Sequence, residues 1–155
     1  MKNKKFILEA EEEERTVGLL RLAHRMEDYE FFFKLNRINP FKFSRLEDVE
    51  MDDYSLVYQF ARYQTYDEAT RTIYSFVANK SHHAQKKTDV IDLFSDLYEP
   101  MYIFPQYPEV DYILLIKDVF TKFSVILLPE QLTFPLQEVV LSPEQKFYQT
   151  IQYYE

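Results

Sequence analysis

From Arg25 onward, Met26, Tyr29, Phe32, Phe33 and Asn36 recur at steps of three and four, a spacing that predicts an amphipathic helix. Asn39-Pro40 ends it, because a residue ahead of proline avoids the α region. The aromatic stripe reads as core packing rather than as a ligand pocket. Elsewhere the period is two. Tyr54, Leu56, Tyr58 and Phe60 alternate with Ser55, Val57, Gln59 and Ala61, and Thr72, Tyr74 and Phe76 with Ile73, Ser75 and Val77. Residues 54–63 and 71–79 are therefore expected as strands, antiparallel because the polar stretch at 65–69 suits a hairpin loop and not a crossover. Residues 16–22 alternate as well, with Val17, Leu19 and Arg21 on one face and Gly18, Leu20 and Leu22 on the other. Residues 110–117 are apolar on both faces apart from Asp111, the pattern of a strand in the middle of a sheet.

Weaker signals complete the chain. Residues 4–9 read as a short strand before a solvated acidic turn at 11–14, and Phe41-Lys42-Phe43 as a short edge strand. Residues 45–53 are too charged to assign, and 79–87 form a polar, locally basic loop. Thr88 is placed to cap a helix with Val90, Leu93, Phe94 and Leu97 on one face, ending at Pro100, and residues 101–104 extend into a proline-rich turn. Residues 121–128 read as a further strand, and Val139-Val140-Leu141 pairs at a sheet edge. Ser142 as N-cap, Pro143 at the first helical position and Gln145 as capping-box partner start a closing helix that docks through Phe147, Ile151 and Tyr154. The expected fold is α+β: a single domain over residues 1–155, with a mostly antiparallel sheet of about five or six strands and two or three packed helices. No repeat or linker divides it.

Composition removes whole classes of chemistry. The 155 residues contain no cysteine, which excludes disulfides, thiolate metal sites and a cysteine nucleophile. One glycine, Gly18, cannot build a phosphate-binding loop of the GxGxxG or GxxxxGK type. A formal charge of −8 disfavours nucleic acid, whose affinity comes mainly from Lys and Arg. The basic start of the chain is followed by too short an apolar run for an export signal, and the longest apolar stretches are too short to span a bilayer. The expectation is a cytoplasmic protein without cofactor, metal, membrane or nucleic-acid partner. The 27 aromatic residues (13 Tyr and 14 Phe) exceed what a domain of this size easily hides.

Asp111 is the most informative position. A carboxylate in an apolar strand is desolvated, which raises its pKa toward that of a general acid. The plainer reading is structural: it accepts amides of the turn at 105–108, or pairs with Arg37 or Arg21. Asn36 and Arg37 adjoin on the first helix. Asn36 suits the satisfaction of buried backbone, and Arg37 suits an anion or a bridge to Asp111. His82-His83 suggests a metal but has no third ligand near, while Lys80, Lys86 and Lys87 in the same loop suit an anionic partner. His24 with Asp28 or Glu27 forms a conceivable acid–base pair. No nucleophile or oxyanion hole is specified.

Residues 104–112, F-P-Q-Y-P-E-V-D-Y, resemble the signature of the IPExxxVDY family of small bacterial proteins: Pro105, Val110, Asp111 and Tyr112 match. Phe104 stands in place of the isoleucine and Gln106 in place of the glutamate. Asp28-Tyr29 followed by Leu35-Asn36-Arg37 is similar to the family's helix motif, and Ala78-Asn79-Lys80-Ser81 to its strand-ending N-K-S. The resemblance covers about residues 15–118; it implies a shared fold and no mechanism. Asp111, Tyr112, Arg37 and Asn36 thus form the candidate polar site. The functional expectation is a non-enzymatic interaction protein, self-associating (a homodimer) or adaptor-like. The alternative is a small-molecule binding protein or weak hydrolytic enzyme with a site around Asp111.

Overall fold

The computed structural model describes residues 14–87, 98–118 and 122–155. The strand expected at 4–9, the acidic turn after it and most of the helix expected from Thr88 fall outside the described residues.

Seven strands form one antiparallel sheet: β1 (Arg15–Leu20), β2 (Ser44–Asp53), β3 (Leu56–Asp67), β4 (Thr72–Ala78), β5 (His83–Lys86), β6 (Tyr112–Lys117) and β7 (Gln137–Leu141). The order is β2-β3-β4-β6-β1-β7, with β5 also paired to β3. Helices α1 (Asp28–Ile38) and α2 (Lys146–Tyr154) cover opposite faces, so the fold is α+β with one strand more than expected. No helix among the described residues is long and apolar enough to cross a membrane.

The period of two decides which side chain meets which helix. Leu20, Phe76, Tyr112 and Leu114 point to one face and pack with Phe31, Phe32 and Leu35 of α1. Val17, Leu19, Phe60, Val77, Ile113 and Leu115 point to the other and pack with Phe147, Tyr148 and Ile151 of α2. Strand β6 lies between β4 and β1 and is buried on both sides, as its uninterrupted apolar run predicts. Gly18 faces α1, where Leu136 occupies the space its missing side chain leaves: an added Cβ would lie 2.6 Å from Leu136 Cδ2. α2 is tied down by charge as well as packing. Arg15 makes two 2.6 Å contacts with the Glu155 carboxylate, and the buried Arg62 donates to the carbonyl of Tyr154 near the helix C-terminus.

Several expectations need correction. Tyr29 and Phe33 do not belong to the buried stripe of α1; Phe31, Phe32 and Leu35 do. Aromatic residues occupy both phases of this helix, so spacing could not choose between them. The sheet chose, through Phe32 stacked 3.8 Å from Tyr63 and Phe31 stacked 5.4 Å from Tyr112. Phe41-Lys42-Phe43 is not a strand; both phenylalanines are buried in the α1-side core. The charged residues 45–53 belong to β2, an edge strand whose charges, Asp48 apart, mostly face water and protect an open edge. Within the loop expected at 79–87, residues His83–Lys86 form β5. Tyr54 lies not in a strand but in the two-residue turn between β2 and β3, at φ 52°, and β3 runs on to Asp67 through the expected loop. The strand expected at 121–128 is a 3-10 turn, Phe123–Val125, followed by irregular chain that the side chain of Asn39 holds through both polar groups of Leu127. The closing helix starts at Lys146, not at Pro143, because Ser142 and Gln145 first close a turn. Gln145 still accepts the Ser142 amide at 2.9 Å, which is half of a capping box displaced from the helix it was expected to start.

Candidate functional site

Strand β3 changes partner along its length, and the change opens a cleft. Residues Arg62–Asp67 pair with β4, and Leu56–Gln59 with β5, while residues 79–82 leave the sheet between the two. Where they leave, the α1 face carries Ala61 and Ala78 in a sheet otherwise rich in Phe and Tyr, and these small side chains form the floor of a cleft of about 620 Å³. Its walls are the segment from Leu22 into the first turn of α1, residues 80–82, and residues 108–112 with Tyr102.

One buried side chain holds these walls together. Asn79 donates from Nδ2 to the carbonyls of Tyr107 (3.0 Å) and Val110 (3.1 Å) and accepts the Phe104 amide at 2.8 Å. Its backbone N–H donates to Asp111, and its carbonyl accepts from Ile103. The proline-rich turn is thereby sutured to the end of β4.

Tyr112, buried at the start of β6, donates its hydroxyl to Asp28 in the first turn of α1. Burial pushes this phenol far above the usual tyrosine range, and the hydrogen bond to Asp28 and the Asp28 charge push it the same way. Asp111 precedes β6 and sits at the rim of the cleft in contact with solvent. Its Oδ2 accepts the Leu22 amide at 2.7 Å, so its structural partner is the end of β1; this corrects the expectation of the turn at 105–108, Arg37 or Arg21. Desolvation raises the Asp111 pKa above 3.8; the Leu22 amide pulls it down, and the charge of Asp28 pushes it up. Asp28 and Asp111 are thus close enough to repel.

Asn36 and Arg37 are not part of the cleft. Asn36 spans the turn after α1, donating to the Phe43 carbonyl (2.9 Å) and accepting its amide (2.7 Å). Arg37 lies 5.8 Å above the ring of Phe33 on the outer face of α1. His82 does line the cleft, but it is held 2.7 Å from Asp48, which also meets Arg45 at 2.5 Å. His83 is in β5 opposite Gln59. Among the described residues no group of three or more His, Asp or Glu side chains is arranged to hold a metal ion. The Ser81 hydroxyl accepts the Met101 amide. Among the described residues that line the cleft, the chemistry on offer is that of charged side chains.

Sequence reasoning passed over Asn79 and the role of Asp28 toward Tyr112. The available signal was that Asp28, Asn79-Lys80-Ser81 and Val110-Asp111-Tyr112, separate in the chain, lie in stretches that carry the resemblance and come together at this cleft, although Leu35-Asn36-Arg37 of the same resemblance lies outside it. Comparison with protein-family models, curated proteins and solved structures finds no match to this chain.

Proposed function

We propose that this chain is a non-enzymatic interaction protein that associates with a second copy of itself through the outer face of α1. The carrying observation is the exposure of Tyr29 (73%) and Phe33 (62%), one turn apart on a helix face that is ordinarily polar. Arg37 continues the ridge one turn further, its guanidinium over the Phe33 ring. Tyr, Phe and Arg are the residue types that interface cores favour.

Charge supports a second copy as the occupant. Glu30 lies in the first turn of α1 and Arg37 in the last, with Lys34 paired to Glu30 between them, while Asp28 is turned to Tyr112 in the cleft. In an antiparallel pair of such helices about a two-fold axis, the acidic half of each faces the basic half of the other, and Phe33 meets its neighbours near the axis. The same reading takes kinship with the IPExxxVDY proteins as a proposal, supported by the meeting at the cleft of residues from three of the four motifs.

Light scattering across a wide concentration range tests the reading. A mass of twice the monomer is expected, returning to the monomer in the Tyr29→Ser/Phe33→Ser variant. A monomer at every concentration, or a dimer that the double substitution leaves intact, would overturn it.

A further inference from the structure

The cleft is lined by charges of both signs whose bonding capacity is incompletely used. Its carboxylates include those of Asp28, in the first turn of α1, and of Glu109 and Asp111 on the wall formed by residues 108–112. Asp28 Oδ1 accepts the Tyr112 hydroxyl and Asp111 Oδ2 accepts the Leu22 amide, so each of these two carboxylates has one oxygen committed to the fold. A cation received by the two carboxylates would offset the desolvation of Asp111 and the smaller effect of the Asp28 charge on it. Arg25, on the same wall segment as Asp28, and Lys80, on the wall formed by residues 80–82, also line the cleft and are exposed, and among the described residues neither guanidinium nor ammonium has an ion-pair or hydrogen-bond partner.

We infer that this cleft binds a small zwitterion of the α-amino-acid class, its ammonium received by Asp28 and Asp111 and its carboxylate by Arg25 and Lys80. A simple anion would leave the carboxylates of Asp28 and Asp111 unmatched, and a simple cation would leave Arg25 and Lys80 so; a ligand bearing both charges satisfies both sets. The volume of about 620 Å³ falls in the range of small-molecule sites and leaves room for a side chain against Leu22, Met26 and Tyr102. Tyr112 and Asn79 act here as positioning residues: the first orients Asp28, and the second holds the wall that carries Asp111.

The site is independent of the outer ridge of α1, so its test is separate from that of self-association. The common α-amino acids serve as probes, titrated into the isotope-labelled full chain while the amide resonances of Leu22, Lys80 and Asp111 are followed. For the tightest binder, its C-terminal amide and its N-acetyl derivative are titrated in parallel. Saturable shifts are expected for at least one amino acid, with each derivative bound about tenfold or more weakly because it lacks one of the two charges. Lys80→Gln, at an exposed position, should weaken binding of the amino acid but not of its amide. Asp111→Asn, which keeps an acceptor for the Leu22 amide, should weaken the amino acid but not its N-acetyl form. No saturable shift with any amino acid, or derivatives that bind as tightly as the parent, would overturn the inference; Lys80→Gln keeps the test decisive even where Asp111→Asn disturbs folding.

Discussion

Tyr112 at the start of β6 donates its hydroxyl to Asp28 in the first turn of α1, so a buried phenol anchors the helix whose aromatic residues pack on the same sheet face. Replacing Tyr112 with Phe removes the donor while keeping the ring that stacks on Phe31. A loss of about 1–2 kcal/mol in urea unfolding is expected, with hydrogen exchange accelerated in the first turn of α1. The phenol is also a one-way titrating group. Its folded pKa lies above the ordinary 10.0, so its contribution is complete below that pH and is lost as the pH rises beyond it. The Tyr112 phenolate should therefore appear only together with alkaline unfolding, which phenolate absorbance and circular dichroism followed in parallel would show.

Asn79 carries more of the architecture than any other single polar side chain near the cleft. Asn79→Ala strands the carbonyl of Val110 and the amide of Phe104 at once and leaves the Tyr107 carbonyl with the Val110 amide alone, around a fully buried side chain. A cost of about 3–5 kcal/mol is expected, large enough to lower the melting temperature markedly in calorimetry. A change within experimental error would mean that the turn holds without it.

Asp111→Asn should behave in the opposite way. The raised carboxylate pKa means that the folded state binds this proton more tightly than the unfolded chain does. Stability from this group is therefore full below pH 3.8 and falls as the pH rises through the higher folded value. An asparagine removes the charge and still accepts the Leu22 amide. At neutral pH the variant is expected to be no less stable than the parent by more than about 0.5 kcal/mol. Any advantage it shows should vanish in strong acid, where the parent is protonated too. Denaturant unfolding at several pH values measures both.

Gly18 and Leu136 should be energetically coupled. A Cβ at position 18 would meet Leu136 Cδ2 at 2.6 Å and Cγ at 3.0 Å, so Gly18→Ala forces the leucine to move. A penalty of about 1–2 kcal/mol is expected, shrinking when Leu136 is itself cut to Ala. A double-mutant cycle with no coupling would show that Leu136 yields freely.

What the linear pattern determined about this protein was its local periods. Alternation at 16–22, 54–63 and 71–79, a two-sided apolar run after Asp111 and a proline-stopped helix were enough to specify an antiparallel sheet with β6 inside it, because period and burial follow directly from strand and helix geometry. The sequence pattern also singled out Asp111 and Tyr112, the first as a carboxylate expected within an apolar strand, where the structure puts it just ahead of β6. Tertiary structure decided everything that depended on a choice between equally apolar alternatives or on distant partners. Which phase of the aromatic α1 is buried was settled by Tyr63 and Tyr112, and the other phase was left as the exposed ridge of Tyr29 and Phe33. Residues 45–53 became a strand because β3 offered a free edge, which outweighs the poor strand propensity of a charged run. The cleft exists only because β3 changes partner between β5 and β4, and pairings between segments far apart in the chain leave no period in the sequence to read.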